Sequence, residues 1–189
     1  TANARLVRDM LIRRYGVPDK QALLLVDPSR VRLEQGLADL LDRLGPDDEL
    51  VVCYSGHAYR DDAGPVFLAP KDFQFQRMAS SGVALESVAG QIDACRAGRK
   101  VLLLDACHAG QGDDLKRQPS TAEMLRSLGD SAADSGLRST AAVASCSQGQ
   151  RGVELPEEDC GLFAWCVAEG YSGQADQNRD SRVEVGELF

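Results

Sequence analysis

Cys107 and His57 have the residue types and the spacing for covalent chemistry. A thiol attacks a carbonyl carbon as its thiolate, and free cysteine is mostly protonated at neutral pH, so a nucleophilic cysteine needs a base close by. The chain has 2 histidines. His108 follows Cys107 directly, and adjacent side chains on an extended or tightly turned backbone point apart, which makes His57 the better partner. With thiol and imidazole together the chemistry open to the pair is nucleophilic catalysis, Cys107 attacking as thiolate and His57 acting as general base and then acid. These residue types also allow a zinc site built from Cys53, His57, Cys107 and His108. That pattern is the weaker one, because Cys53 lies four residues before His57 in one strand and adjacent Cys107 and His108 do not converge easily.

Two apolar runs must hold the pair. Val101 to Leu104 reads as a buried parallel strand, which puts Asp105, Cys107 and His108 at its carboxyl end. Glu49 to Tyr54 is a second such strand, ending in Ser55-Gly56-His57. Open α/β sheets bind ligands outside the carboxyl ends of their strands. Neighbouring strands lie about 5 Å apart, close enough for imidazole and thiol to exchange a proton.

The remaining pattern alternates helices and strands. Ala4 to Tyr15 carries Leu6, Val7, Met10 and Leu11 at helical spacing and stops at Gly16-Val17-Pro18. A strand is expected over Ala22 to Val26, followed by Asp27 as helix N-cap, Pro28 at the first helical position and a helix from Ser29 to Leu44. Tyr59 to Gly64 is polar and turn-rich, Val66 to Ala69 is a short strand, and Val83 to Ala97 is a helix capped by Gly98, with Val83, Val88, Ile92 and Cys95 inward. A helix opens at the capping box Ser120-x-x-Glu123 and stops at Gly129. Thr140 to Ser145 is a further strand, and Gly161 to Gly170 a core helix. Strands alternating with helices imply βαβ units, an α/β fold and a mainly parallel sheet.

A net charge of −8 at pH 7 argues against a nucleic-acid binder, since phosphate recognition needs clustered Lys and Arg. The 6 cysteines are scattered without a Cys-x-x-Cys, which reads as reduced, cytoplasmic usage. No signal peptide or membrane span is legible. The chain starts within a helical pattern and stops mid-pattern at Glu187-Leu188-Phe189, so it is expected to be a piece of a longer protein.

Tyr54-Ser55-Gly56-His57 followed by Asp105-Ala106-Cys107-His108-Ala109-Gly110 resembles the caspase-like cysteine peptidases, above all the metacaspase and bacterial branch, whose motifs are Ser-Gly-His-Gly and Asp-Ser-Cys-His-Ser-Gly. The caspase histidine stands about 50 residues upstream of the cysteine; from His57 to Cys107 the separation is 50. The resemblance implies a caspase-like three-layer sandwich, a mainly parallel central sheet flanked by helices, as one peptidase domain over 1–189 that lacks the family's first strand. It implies an oxyanion held by the backbone N–H groups of Cys107 and of Ala58, where the family has glycine. Asp105 would pair with a substrate Arg or Lys before the cut, Asn3 stands where the family has a second acid, and Ser145 and Ser147 belong to the segment forming one wall of the groove. The polar stretch 111–138 would be an active-site linker, self-cleaved in a zymogen at Lys116, Arg117, Arg126 or Arg138. The partners implied are a protein or peptide substrate and a regulatory partner or further domains, in a cell-death or defence pathway. A catalytically silent caspase-like module that binds peptides or partners is the alternative.

The chemistry itself requires no cofactor. Calcium enters through Asp176-Gln177-Asn178-Arg179-Asp180-Ser181-Arg182-Val183-Glu184-Val185-Gly186-Glu187, which follows the EF-hand loop pattern. Its ligands would be Asp176, Asn178, Asp180, the Arg182 carbonyl, Glu184 and Glu187. Ser181 replaces the glycine of position 6, the exiting helix is expected to be missing, and a calcium-binding regulatory domain is a third class of function.

Overall fold

The computed structural model describes residues 2–60, 64–106, 119, 123–125, 128, 137–145 and 153–188. They form two compact units, Leu25–Arg151 and a second made of Thr1–Leu24 with Gly152–Phe189.

The first unit is α/β. Strands β1 (Glu49–Ser55), β5 (Arg99–Asp105) and β6 (Thr140–Ala144) form a parallel sheet in the order β1-β5-β6. Parallel strands need a crossover between them, and β1 is joined to β5 through a small antiparallel sheet, β2 (Ala58–Arg60), β3 (Val66–Leu68) and β4 (Val83–Ala84), and then helix α4 (Leu85–Ala94). Helix α2 (Arg30–Leu41) precedes β1, and the single turn α3 (Met78–Ser81) precedes β4.

Alternation sorts the sheet's two faces. Leu50, Val52 and Tyr54 of β1, Leu102 and Leu104 of β5, and Ala142 and Ala144 of β6 join one core with Leu37 and Leu41 of α2 and Leu85, Val88, Ala89 and Ile92 of α4. Cys53, Ser55, Leu103 and Asp105 take the opposite face, where Leu103 is also fully buried. The helical residues Met124 and Leu128 bury against the first core, and Arg60 of β2 pairs with Glu123 at 2.8 Å.

One anchor in this unit is invisible as a sequence motif. The Asp93 carboxylate accepts the backbone N–H groups of Arg138 (3.1 Å) and Ser139 (3.0 Å) and the hydroxyl of Thr140 (2.9 Å). The buried Lys100 ammonium bonds the Asp93 carbonyl at 2.6 Å and Ser139 Oγ at 2.9 Å. Desolvation raises the Asp93 pKa, but the hydrogen bonds outweigh it and hold the carboxyl at about 2. The chain's re-entry into the sheet is therefore fixed to the end of α4.

In the second unit, helix α1 (Ala2–Tyr15) packs on the helix Leu162–Glu169, and both touch β8 (Cys160–Gly161) of the short pair it forms with β7 (Glu154–Leu155). Tyr15 and Tyr171 meet edge to face at 5.9 Å, and Tyr15 Oη donates to the Tyr171 carbonyl at 2.9 Å.

Four features depart from the sequence expectation. Ala22 to Val26 is not a strand. Asp19–Gln21 forms a 3-10 turn, the Ala22 N–H bonds Pro18 and Asp19 carbonyls, and the Ala22 carbonyl takes the Arg8 Nε at 2.8 Å, so that residue's ladder groups are spent locally. Leu23 and Val26 are each 46% exposed. The helix cap moves from Asp27, which takes φ 43, to Ser29, whose hydroxyl accepts from the Arg32 N–H at 3.3 Å. Tyr59 and Arg60, expected as turn, join Ala58 in a strand paired with Val66–Leu68, and Val83–Ala84, expected as helix, pairs with Phe67–Leu68 instead.

Candidate active site

The β1–β5 register places Ser55 opposite Asp105. The pairing runs one step past the strands, with the Gly56 N–H donating to the Asp105 carbonyl at 3.1 Å. On the other side the Ser145 N–H donates to the Leu104 carbonyl at 2.9 Å. Ser55, Asp105 and Ser145 thus stand side by side across the sheet's carboxyl end. Asp105 is 2% exposed, and the Ser55 hydroxyl donates to its Oδ2 at 3.2 Å. A carboxylate held out of water there is costly unless donors or a cation meet it.

His57 follows two residues after Ser55, and Tyr54 fixes the turn that carries it. Tyr54 Oη donates to the His57 carbonyl at 2.6 Å and accepts from the Ala69 N–H at 3.2 Å, while the same N–H bonds the His57 carbonyl at 2.9 Å. Desolvation pushes the Tyr54 pKa above the usual phenol range, so the group stays a donor. Gly56 is needed for room: a Cβ there would lie 2.9 Å from Tyr54 Oη and 3.1 Å from Cζ. The His57 side chain is exposed, and its ring lies 6.3 Å from that of Tyr59.

Ala58 is the buried first residue of β2, opposite Leu68. Because the Ala69 N–H bonds the His57 carbonyl, the 58–68 pair is of the non-hydrogen-bonded kind, and the Ala58 N–H points away from β3. Ala58 is not among the residues with positive φ, so its methyl group is accommodated where the family has glycine.

Cys107, His108 and Ser147 lie outside the described residues, as do the linker positions Lys116, Arg117 and Arg126. Arg138 is exposed, with its N–H held by Asp93. Asn3 belongs to the second unit, where its Oδ1 accepts the Gly161 N–H at 2.8 Å at the start of the helix Leu162–Glu169. The Cys53 thiol is pushed up to about 12 by desolvation and the Asp105 charge, so it stays protonated where it stands.

The terminal loop folds around its own acids. The Asp176 carboxylate accepts the N–H groups of Asp180 (3.1 Å) and Ser181 (3.0 Å), and Glu187 reaches back to the N–H groups of Asn178 (3.4 Å) and Glu184 (3.1 Å). Asp180 Oδ1 accepts from the Arg182 N–H at 2.8 Å. Ser181 takes φ 67, the left-handed conformation that glycine adopts without strain. The exiting helix, expected to be missing, is begun by the turn Val185–Leu188. Among the described residues, no three His, Cys, Asp or Glu side chains gather closely enough to hold a metal ion, and no helix is long and apolar enough to cross a membrane.

The sequence assigns no role at the site to Tyr54 or Tyr59, nor to Phe73, which stacks on Tyr59. The signal for Tyr54 was available: alternation places it on the core side of β1, where a buried phenol needs a partner. No protein-family model matches this chain, and no curated protein matches it.

Proposed function

We propose that this chain is a caspase-like cysteine peptidase that cuts after Arg or Lys. The observation that carries the reading is the Ser55–Asp105 register, which aligns the carboxyl ends of the two motif-bearing strands, so that His57 and Cys107 each follow two residues beyond a paired position. The parallel sheet with α2 and α4 on one face is compatible with the three-layer caspase-like sandwich.

In this mechanism His57 takes the Cys107 proton, and the thiolate attacks the peptide carbonyl carbon. The tetrahedral oxyanion rests on the N–H groups of Cys107 and Ala58, the latter already turned away from its hairpin partner. As the C–N bond breaks, His57 returns the proton to the leaving amine, and water then hydrolyses the thioester. Buried Asp105 supplies the charge for a basic residue before the cut, with Ser145 beside it. Ser147 is assigned to the same wall by the resemblance alone, and the Asn3 side chain is engaged with Gly161.

The terminal loop is read as a weak calcium site. Its support is the EF-hand pattern of the sequence; the loop's acids are spent on backbone N–H groups, Glu187 on those of Asn178 and Glu184, and do not gather around one point. Left-handed Ser181 keeps affinity low.

The test is cleavage of fluorogenic peptides varied at the residue before the cut, with and without calcium, by the native chain and by Cys107→Ala. Turnover after Arg or Lys that disappears in Cys107→Ala is expected. Turnover retained by the variant overturns the nucleophile assignment, and none by the native chain leaves the silent binding module as the better reading.

A further inference from the structure

The chain has 5 Phe, 4 Tyr and 1 Trp, and three of these rings meet beside His57. Tyr59 stacks on Phe73 with centroids 5.1 Å apart and planes 9° from parallel, and meets Phe75 edge on at 5.5 Å. The His57 ring lies 6.3 Å from Tyr59 on another side. Tyr59, Phe73 and Phe75 are each half-buried. The cluster is rigidly backed. Phe73 lies over Gly82, where a Cβ would come within 3.1 Å of its Cε2 and 2.8 Å of the Phe67 Cβ, and Tyr59 pairs with buried Phe67 across the β2–β3 hairpin.

We propose that Tyr59, stacked on Phe73 and flanked by Phe75, forms a subsite for an apolar or aromatic side chain on the leaving-group side of the scissile bond. The inference rests on the peptidase reading above. In that mechanism His57 gives its proton to the departing amine, so the residue carrying that amine must pass next to His57, and Tyr59 is the ring in contact there. Asp105 reads the residue before the cut, and the aromatic cluster reads the residue after it. A half-buried ring set already fixed by stacking offers apolar area with little ordering cost.

The test uses peptides with Arg fixed before the cut and Gly, Ala, Leu, Phe or Asp after it, with products identified by mass spectrometry. The native protein is expected to favour Leu and Phe over Gly by about tenfold in kcat/KM, the scale on which apolar pockets discriminate. Tyr59→Ala should bring the Leu-to-Gly ratio close to one, Tyr59→Phe should retain it, and Phe75→Ala should lower it partway. Thermal melts of each variant separate loss of the subsite from loss of the fold, and Phe75→Ala together with Tyr59→Phe carries the test if Tyr59→Ala does not fold. Native cleavage after Arg with no preference beyond the cut overturns the subsite while leaving the peptidase reading intact. A preference that survives in Tyr59→Ala also overturns it. Native protein that cleaves none of the peptides overturns both.

Discussion

The contact between Tyr54 and Gly56 can be tested without any assay of activity. Tyr54→Phe removes one hydroxyl that donates to the His57 carbonyl, but the Ala69 N–H keeps that carbonyl as its own partner at 2.9 Å, so no buried group is orphaned. The expected loss is therefore that of one ordinary hydrogen bond, about 1 kcal/mol. Gly56→Ala in the native background sets a methyl group 2.9 Å from Tyr54 Oη, an overpacking cost of about 1–3 kcal/mol, less a few tenths recovered from the unfolded chain. With Phe at position 54 the closest obstacle is a ring carbon at 3.1 Å, which can give by a few tenths of an ångström. The double variant should then be more stable than the sum of the two single losses by about 1 kcal/mol. Urea unfolding of the four proteins, followed by circular dichroism, measures this. Additivity within about 0.5 kcal/mol would mean that Oη does not occupy the space a methyl group needs, and the account of how the histidine turn is held would fail.

Asp105→Ala should reduce turnover of Arg and Lys substrates far more than it reduces stability; a residue preference unchanged by the substitution removes Asp105 from the pocket. Asp93→Asn should destabilise the fold by about 1 kcal/mol, a figure kept small because that residue is only half-buried and water screens its charge. Since its folded pKa of about 2 lies below the ordinary 3.8, its contribution is complete above about pH 4 and fades as pH falls towards 2. Urea midpoints measured over pH 2 to 5 should accordingly slope less in Asp93→Asn, and parallel slopes would reject the anchor. Calcium should release or absorb heat on titration and raise the melting temperature, and Glu187→Gln should abolish both effects; calorimetry without heat ends the calcium reading.

Legibility in the sequence followed the length of each signal. β1 and β5 were plain because each is a run of apolar residues with a polar end, the pattern of a strand buried in a parallel sheet. Ala22 to Val26 showed the same composition and failed, because local partners for Ala22, the Arg8 guanidinium among them, are contributed by residues up to fourteen positions away. The β2 and β4 strands are three and two residues long, too short for any period, and pairing with Phe67 and Leu68 decided them. At the site, the order and spacing of the motifs were readable, whereas the Tyr54 lock and the Tyr59 cluster depend on which side chains the hairpin brings round to His57. Asp93 gave no hint, since its three partners lie some 45 residues along the chain.

The two units share the chain in a way that bears on any cut within 111–138. The piece before the cut carries α1, β1 and β5, and the piece after it carries β6 and the helix Leu162–Glu169. They would meet in both units: along the five registered β5–β6 pairs, reinforced by Asp93, and along the packing of α1 on the later helix. Release of either contact leaves the other to hold the partner at an effective concentration set by a short tether, which favours re-closure. A nicked molecule would thus behave as an interlocked pair, migrating as one species under native conditions and as two only once denatured, and the same two pieces expressed separately would be natural candidates for fragment complementation.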